Sequence, residues 1–366
     1  MPEAGPAEHE LLRQSVRDFA ANSSPESEVR RLMAAPHGFD RQVWSIMAGQ
    51  LGLQGMAIPD RYGGAGFGWA ELAVVFEEFG RALLCAPYFA TVALAVPALL
   101  GSDDEDAKQR YLPPIASGEL VATVALQATA ADEVTARSTS GGYELHGRRS
   151  HVIDGGVAGL LLVPALGPEG PGIFAVEGGS AGLARKMLPT LDETRKQAEV
   201  VFDGCPARPL ELAGGAAVLL AQVQHLAAVA LACEQVGGAQ HCLDDAVDYA
   251  RDRMQFGRPI GSFQAVRHRC ADMLLDVESA RSVAAHAVEL APDGRQLGAA
   301  AHMAKAHCSE AFVRVAAANI QVHGGIGITW DHSAHLYLKR AKSSQLLFGS
   351  PQQHRAALAN LVRDAA

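Results

Sequence analysis

The sequence predicts a mainly α protein with a central β domain: a helical domain over 1–118, a small β-barrel or sandwich over 119–210, and a helical bundle over 211–366. Three observations carry this. In the first third, apolar residues recur at three- and four-residue intervals. Between about Leu120 and Pro209 the period shortens to β-type runs separated by glycine-rich turns. After about Gly214 the helical period returns in much longer pieces.

Each element follows from its local pattern. Glu8–Phe19 reads as an amphipathic opening helix, and Arg41–Gln50 and Ala70–Leu84 carry the same spacing. Between the last two, Gly52-Leu53-Gln54-Gly55-Met56-Ala57-Ile58-Pro59-Asp60-Arg61-Tyr62-Gly63-Gly64-Ala65-Gly66 has too much glycine for a helix and reads as an ordered loop. The runs 121–126, 143–146, 160–163 and 199–202 read as strands, with turns at Gly141-Gly142, Gly155-Gly156 and Gly178-Gly179. Ala216 to Met254 can form one helix of ~57 Å. Phe263–Leu290, with Ser262 as N-cap, and Leu297–Val322, ended by Gly324-Gly325, follow it. Ser350-Pro351 marks a last helix that runs through Asp364. Long helices with short connections pack as antiparallel neighbours.

Composition narrows the function classes. With 366 residues, 49% hydrophobic and 19% charged, the chain can bury a large core and is not disordered. Its formal net charge of −9 speaks against bulk attraction to nucleic acid or anionic lipid. The apolar stretch Leu219–Leu231 is interrupted by Gln222, Gln224 and His225, so no membrane span is expected. Cys85, Cys205, Cys233, Cys242, Cys270 and Cys308 show no CxxC pair and read as reduced thiols of a cytoplasmic protein. The opening MPEAGPAEHELL lacks a basic stretch followed by an apolar run, so no secretory leader is expected. His302, His307, His332 and His335 are closely spaced, but no nearby cysteine or carboxylate pair completes a ligand set, and no metal is expected.

Three stretches bear chemistry together: the Gly/Pro loop followed by Glu77-Glu78-Phe79-Gly80-Arg81; Arg253-Met254-Gln255-Phe256-Gly257-Arg258-Pro259-Ile260-Gly261-Ser262-Phe263-Gln264; and Gln321-Val322-His323-Gly324-Gly325-Ile326-Gly327-Ile328-Thr329. In this order and spacing the chain resembles the acyl-CoA dehydrogenase superfamily, whose α-domain, β-domain and C-terminal four-helix bundle match the division above. The resemblance implies FAD bound between subunits. It assigns Arg253 to the pyrophosphate and Gln264, Gln321 and Gly325 to the adenosine half, with Phe256 and Gly324 beside them and Ser350 and Gln352 as further contacts. A guanidinium fork matches phosphate oxygens, and glycine amides approach a ligand without a Cβ in the way. Outside the motif, Arg253 reads as a surface ion pair with Asp248 or Asp252, and Gly324-Gly325 as a plain helix C-cap.

The chain departs from the family where the chemistry would occur. The family's base is usually a glutamate before the last helix; here the turn reads Leu347-Phe348-Gly349-Ser350-Pro351-Gln352, and Phe348 has no proton-accepting atom. A relocated base on the first long helix would fall near inert Ala227. Glu234, seven residues on, returns to nearly the same face, and it is the one acid in Leu219–Val236. Its alternative is a structural, hydrogen-bonded glutamate. In the β domain, Ala125–Asp132 replaces the family's Thr-Glu-Pro-x-x-Gly-Ser stretch. Likewise His151 replaces the tryptophan over the flavin ring, and Ile153 the hydroxyl donor to flavin N5.

Adenosine-side residues are thus kept and ring-side residues lost. The chain resembles the unequal-subunit (α2β2) actinobacterial acyl-CoA dehydrogenases of sterol side-chain degradation, also in Pro189–Arg195 and Trp330–Arg340. This implies a non-catalytic subunit that serves the FAD of a second acyl-CoA dehydrogenase subunit in a heterotetramer, with an acyl-CoA substrate and an electron-transfer flavoprotein as acceptor. Two alternatives stay open: a self-sufficient homotetramer using Glu234 or an acid of Asp132-Glu133 as base, and a flavin-free scaffold.

Overall fold

A computed structural model describes residues 5–126, 132–292 and 296–364. In chain order the helices before the sheet are α1 (Pro6–Ser23), α2 (Glu26–Ala34), α3 (Arg41–Gly49), α4 (Trp69–Arg81), α5 (Val96–Leu100), entered through a π-helical Phe89–Ala95, and α6 (Glu105–Ala116). The strands are β1 (Ala122–Val124), β2 (Val134–Thr139), β3 (Gly142–Ile153), β4 (Leu160–Gly167), β5 (Gly170–Glu177), β6 (Leu183–Met187) and β7 (Gln197–Pro209). Then come α7 (Ala216–Asp252), a hairpin of β8 (Met254–Gln255) and β9 (Arg258–Pro259), α8 (Gln264–Leu290), α9 (Leu297–His323), α10 (Ala334–Leu346) and α11 (Pro351–Asp364).

Among the described residues the chain forms two compact units. One gathers Arg30–Gly68 and Cys85–Ala227; the other holds residues 5–29, 69–84 and 228–364. In the first unit, β4, β2, β3, β7 and β5 pair in turn, and β5 pairs back to β4, which closes a small barrel. Alternation fills it: Leu161, Val163 and Ala165 of β4, Phe174 and Val176 of β5, and Ala198, Val200 and Phe202 of β7 all point into one core. The pairing is mixed, because β1 and β2 run parallel to β4 while the remaining pairs are antiparallel. The glycine-rich loop is ordered by its own backbone, with Ala65 N donating to Gly55 O at 3.0 Å and Phe67 N to Met56 O at 2.8 Å.

In the second unit the helices pack on their small residues. A Cβ on Gly80 of α4 would lie 2.0 Å from Glu234 O, and one on Gly237 of α7 would lie 1.8 Å from Glu77 O. Two glycines therefore let α4 and α7 touch backbone to backbone. This is the physical role of the glycine in Glu77–Arg81. Between α1 and α4, Arg13 and Arg17 of α1 converge on buried Glu78 at 2.9 and 2.8 Å. Burial of Glu78 works against its charge, yet the two guanidiniums hold its carboxyl below the usual range.

Two expectations need correction. Ser262 does not cap α8; Phe263 occupies that position without a side-chain cap, while Ser262 Oγ donates to Pro259 O at 2.7 Å to close the preceding turn. The interruption argument against a membrane span also fails on its own terms. Helix α7 is long and apolar enough by length and composition, since Gln222, Gln224 and His225 carry little weight in so apolar a stretch. Burial gives the better reason for its composition: Leu226–Val236 is buried inside the protein throughout. The six cysteines are free, and five of them are buried.

Candidate functional site

The predicted cofactor residues all fall in the second unit. Helix α7 ends at Asp252, and the chain turns through the β8–β9 hairpin, with Phe256 at φ 53° and Gly257 at φ 77°. Ile260 N donates to Arg253 O at 2.8 Å, and Phe263 meets Phe256 edge-on at 6.0 Å. This folds Arg253, Phe256 and Gln264 into one local surface. Phe256 is 91% exposed at its tip. Arg253 is exposed and makes no ion pair among the described residues; the nearby pair is Arg251–Asp248, at 3.5 Å. The surface-ion-pair alternative for Arg253 is therefore not realised.

Helix α9 ends at Gly324, which takes φ 67°, and Gly324–Ile328 forms a 3-10 turn. A Cβ on Gly324 or Gly325 would meet nothing within 4 Å, so both residues are open on that side, while Gly324 N donates to Ile320 O to close α9. The helices that carry the two motifs, distant in sequence, meet just before them in a ring contact. Tyr249, one turn before Arg253 on α7, packs on His323 with ring centroids 4.2 Å apart. A free guanidinium, exposed Gln264 and Gln321 amides and the exposed backbone at Gly325 are a set that fits a pyrophosphate and adenosine.

Ser350 and Gln352 lie elsewhere. They open α11, where Ser350 N donates to Gln353 Oε1 at 2.8 Å and Gln353 N to Ser350 Oγ at 3.4 Å, a reciprocal cap. Helix α11 meets the other end of α9, where His354 and His302 lie 2.8 Å apart through their Nδ1 atoms. His302 and Gln321 stand about 28 Å apart along α9. The eight residues thus form two surfaces at opposite ends of one helix.

The turn before α11 is tightly held. Phe348 is 6% exposed and adopts φ 58°, a conformation that costs a non-glycine residue roughly 1–2 kcal/mol. Neighbours fix it: the Phe348 carbonyl lies 3.1 Å from His354 Nε2, and Lys305 Nζ donates to Gln345 O and Gly349 O at 3.2 Å and to Ser309 Oγ at 3.0 Å. Lys305 is fully buried, and burial pushes its ammonium down to about 7. Sequence reading missed it, although a lysine flanked by Ala301, Ala304 and Cys308 on an apolar face was a visible signal.

Glu234 is 5% exposed, and its Oε1 accepts from Arg340 Nη1 at 2.8 Å, with Arg340 itself 3% exposed. In the barrel unit, the register of β3 on β7 slips between Arg149 and Val152, and the bulge leaves His151 exposed at φ 56°. Ile153 is buried, and its carbonyl accepts from Thr123 Oγ1 at 2.8 Å. Asp132 accepts from Ser150 Oγ at 2.9 Å, while Glu133 is exposed. Gln127–Ala131, part of the stretch that replaces the family's Thr-Glu-Pro run, lies outside the described residues.

Asp245, His323 and His332 each bring one donor atom within 4.8 Å of the others. His332 Nδ1 accepts from Ala334 N at 3.1 Å, which leaves the proton of a neutral ring on Nε2 and makes that nitrogen a donor rather than a ligand. Within the trio, His323 Nε2 lies 3.7 Å from Asp245 Oδ2 and has no hydrogen-bond partner among the described residues. A cavity of about 300 Å³ in the same unit, lined by Arg17, Arg81, His241 and Tyr337 among others, includes none of the predicted site residues.

Comparison with known proteins places these features. Residues 6–119 match the acyl-CoA dehydrogenase N-terminal domain family, and residues 214–362 match the acyl-CoA dehydrogenase C-terminal domain family. The chain is 34% identical over 348 residues to the acyl-CoA dehydrogenase IpdE2 of Mycobacterium tuberculosis (strain ATCC 25618 / H37Rv), covering 95% of each protein. Among solved structures, a variant of the Tcur3481–Tcur3483 steroid ACAD superposes with a TM-score of 0.89 at 31% identity, over 98% of each chain. A chain of the ChsE4–ChsE5 complex from Mycobacterium tuberculosis does so with a TM-score of 0.89 at 29% identity, over 99% of each chain. With both terminal domain families matched and near full-length likeness, this chain belongs to the acyl-CoA dehydrogenase family.

Proposed function

We propose that the chain is one subunit of an FAD-dependent acyl-CoA dehydrogenase built from unequal subunits, and that it supplies adenosine-side contacts while a partner supplies the proton acceptor. The observation that carries this reading is an asymmetry. The residues proposed to contact the nucleotide, Arg253, Gln264, Gln321, Gly324 and Gly325, are exposed, whereas Phe348 stands buried in the turn where the family's carboxylate would be. FAD, when bound, supplies the ring that accepts hydride during α,β-dehydrogenation of an acyl-CoA. The part of this chain's residues is binding: Arg253 neutralises phosphate charge, and the Gly325 amide donates to an oxygen. Phe348 takes no proton, and its backbone is fixed by Lys305 and His354.

Glu234 fits a structural part better than a catalytic one, because its carboxylate already serves a buried guanidinium. Two of the similar structures carry paired names, Tcur3481–Tcur3483 and ChsE4–ChsE5, and the first is a steroid ACAD. A steroid side-chain thioester is the proposed substrate class, an electron-transfer flavoprotein the proposed acceptor, and the cytoplasm the proposed location. Co-expression with the neighbouring acyl-CoA dehydrogenase gene tests the reading. The expected result is a yellow complex with one flavin per two chains, from a chain that binds none alone. Full flavin occupancy in the chain expressed alone would overturn it. In the complex, Arg253→Ala is expected to lower flavin content, and unchanged stoichiometry would count against the trans-binding role.

A further inference from the structure

The two motifs that carry the adenosine-side donors belong to different helices, and no backbone hydrogen bond links them. What joins them is a buried polar bridge. Asn319, fully buried on α9, donates from Nδ2 to Asp245 Oδ2 of α7 at 3.0 Å. One turn later His323, 4% exposed, donates from Nδ1 to Asn319 O at 3.0 Å. That bond fixes the ring, which then packs on Tyr249 of α7 at 4.2 Å and on His332 at 4.2 Å. A Cβ on Gly327 would touch His323 Cβ at 3.1 Å, so the turn after Gly324 folds directly onto this histidine. Arg253 N in turn donates to Tyr249 O at 2.9 Å. An unbroken chain of contacts therefore runs from Asp245 and Tyr249, about two turns and one turn before Arg253, to the residue preceding Gly324.

We infer that Asp245, Asn319, His323 and Tyr249 are positioning residues that hold the Arg253 hairpin and the Gly324–Gly325 turn at one fixed spacing, so that the two act as a single anion-binding surface. This rests on the reading of that surface as the adenosine half of an FAD site. The physical reason is geometric. A pyrophosphate has a fixed span, and donors on two independently moving helix ends lose affinity through the ordering they must undergo on binding. Buried bonds at Asn319 do that ordering in advance, and a carboxylate acceptor makes the Asp245 bond one of the stronger kind. The bridge itself touches no part of the ligand.

The test uses the co-expressed complex, with FAD as the probe, and reads the FAD dissociation constant together with the melting temperature of the flavin-stripped complex. Asn319→Asp sets two carboxylates against each other and is expected to weaken FAD about tenfold. Combining it with Asp245→Asn restores the bond with reversed polarity and is expected to recover the affinity. Should Asn319→Asp fail to assemble, Tyr249→Leu removes the ring contact at a half-buried position and is expected to weaken FAD with assembly kept. FAD affinity unchanged in Asn319→Asp, or in Tyr249→Leu, while Arg253→Ala still loses flavin, overturns the positioning role. So does a double variant that recovers the melting temperature but not the affinity. If Arg253→Ala also keeps its flavin, the adenosine-site reading fails instead.

Discussion

Lys305→Met gives the sharpest check on how the Phe348 turn is held. Three groups accept from the Lys305 ammonium, namely Ser309 Oγ, Gln345 O and Gly349 O, and no carboxylate is among them. Desolvation therefore dominates and lowers the amine from 10.5 to about 7. Below pH 7 both folded and unfolded states carry the proton, and the folded state bears the full cost of the buried charge. Between 7 and 10.5 the unfolded chain binds more protons than the folded one, so stability rises with pH. At about 1.4 kcal/mol per unit, the gain reaches at most roughly 5 kcal/mol across that window. Cys233 and Cys308, whose thiols burial pushes up, act with the opposite sign as pH passes the free-thiol range. Cys233 cancels in the difference, while Cys308, which the Lys305 charge holds down, is raised further in the variant and so adds to the wild-type gain as pH rises. The assay is the urea midpoint of wild type and Lys305→Met at half-unit steps from pH 7 to 10. Wild type is expected to gain on the variant as pH rises. A difference that stays flat, or falls, would refute a desolvated ammonium at this site and with it the charge-based hold on Gly349.

Two further outcomes are expected. Arg340→Met removes the guanidinium 2.8 Å from buried Glu234 and should cost about 3–5 kcal/mol by denaturant unfolding, whereas replacing both partners with apolar residues of similar volume should restore much of that loss. A double variant as unstable as the single one would show that the pair is not what Glu234 depends on. Phe348→Glu, in the chain alone, is expected to give no acyl-CoA-dependent dye reduction, because on the proposed reading His151 and Ile153 also replace ring-side contacts; turnover would show that replacement to matter less than proposed.

Local signals served well wherever the deciding forces are local. The amphipathic spacing of α1, α3 and α4, the cap at Ser350-Pro351 and the stop at Gly324 were all legible, since each depends on a few consecutive residues. The start of α8 was not, because Ser262 had a competing acceptor three residues back at Pro259 that a propensity argument does not weigh. Helix α6 was also passed over, with Pro113 and Pro114 inside it.

By itself the sequence determined the helix–sheet–helix order, the identity of the motif residues and the aromatic, non-basic side chain at Phe348, because pattern and side-chain chemistry need no coordinates. Only the tertiary structure decided which distant groups meet. It paired Glu234 with Arg340, joined Asp245 to Asn319, put Lys305 beneath Gly349, and separated Ser350 from Gly324 by most of the length of α9. Such pairings turn on helix crossings set by close packing, here by the backbone contact that Gly80 and Gly237 permit, and no period along a single chain encodes them.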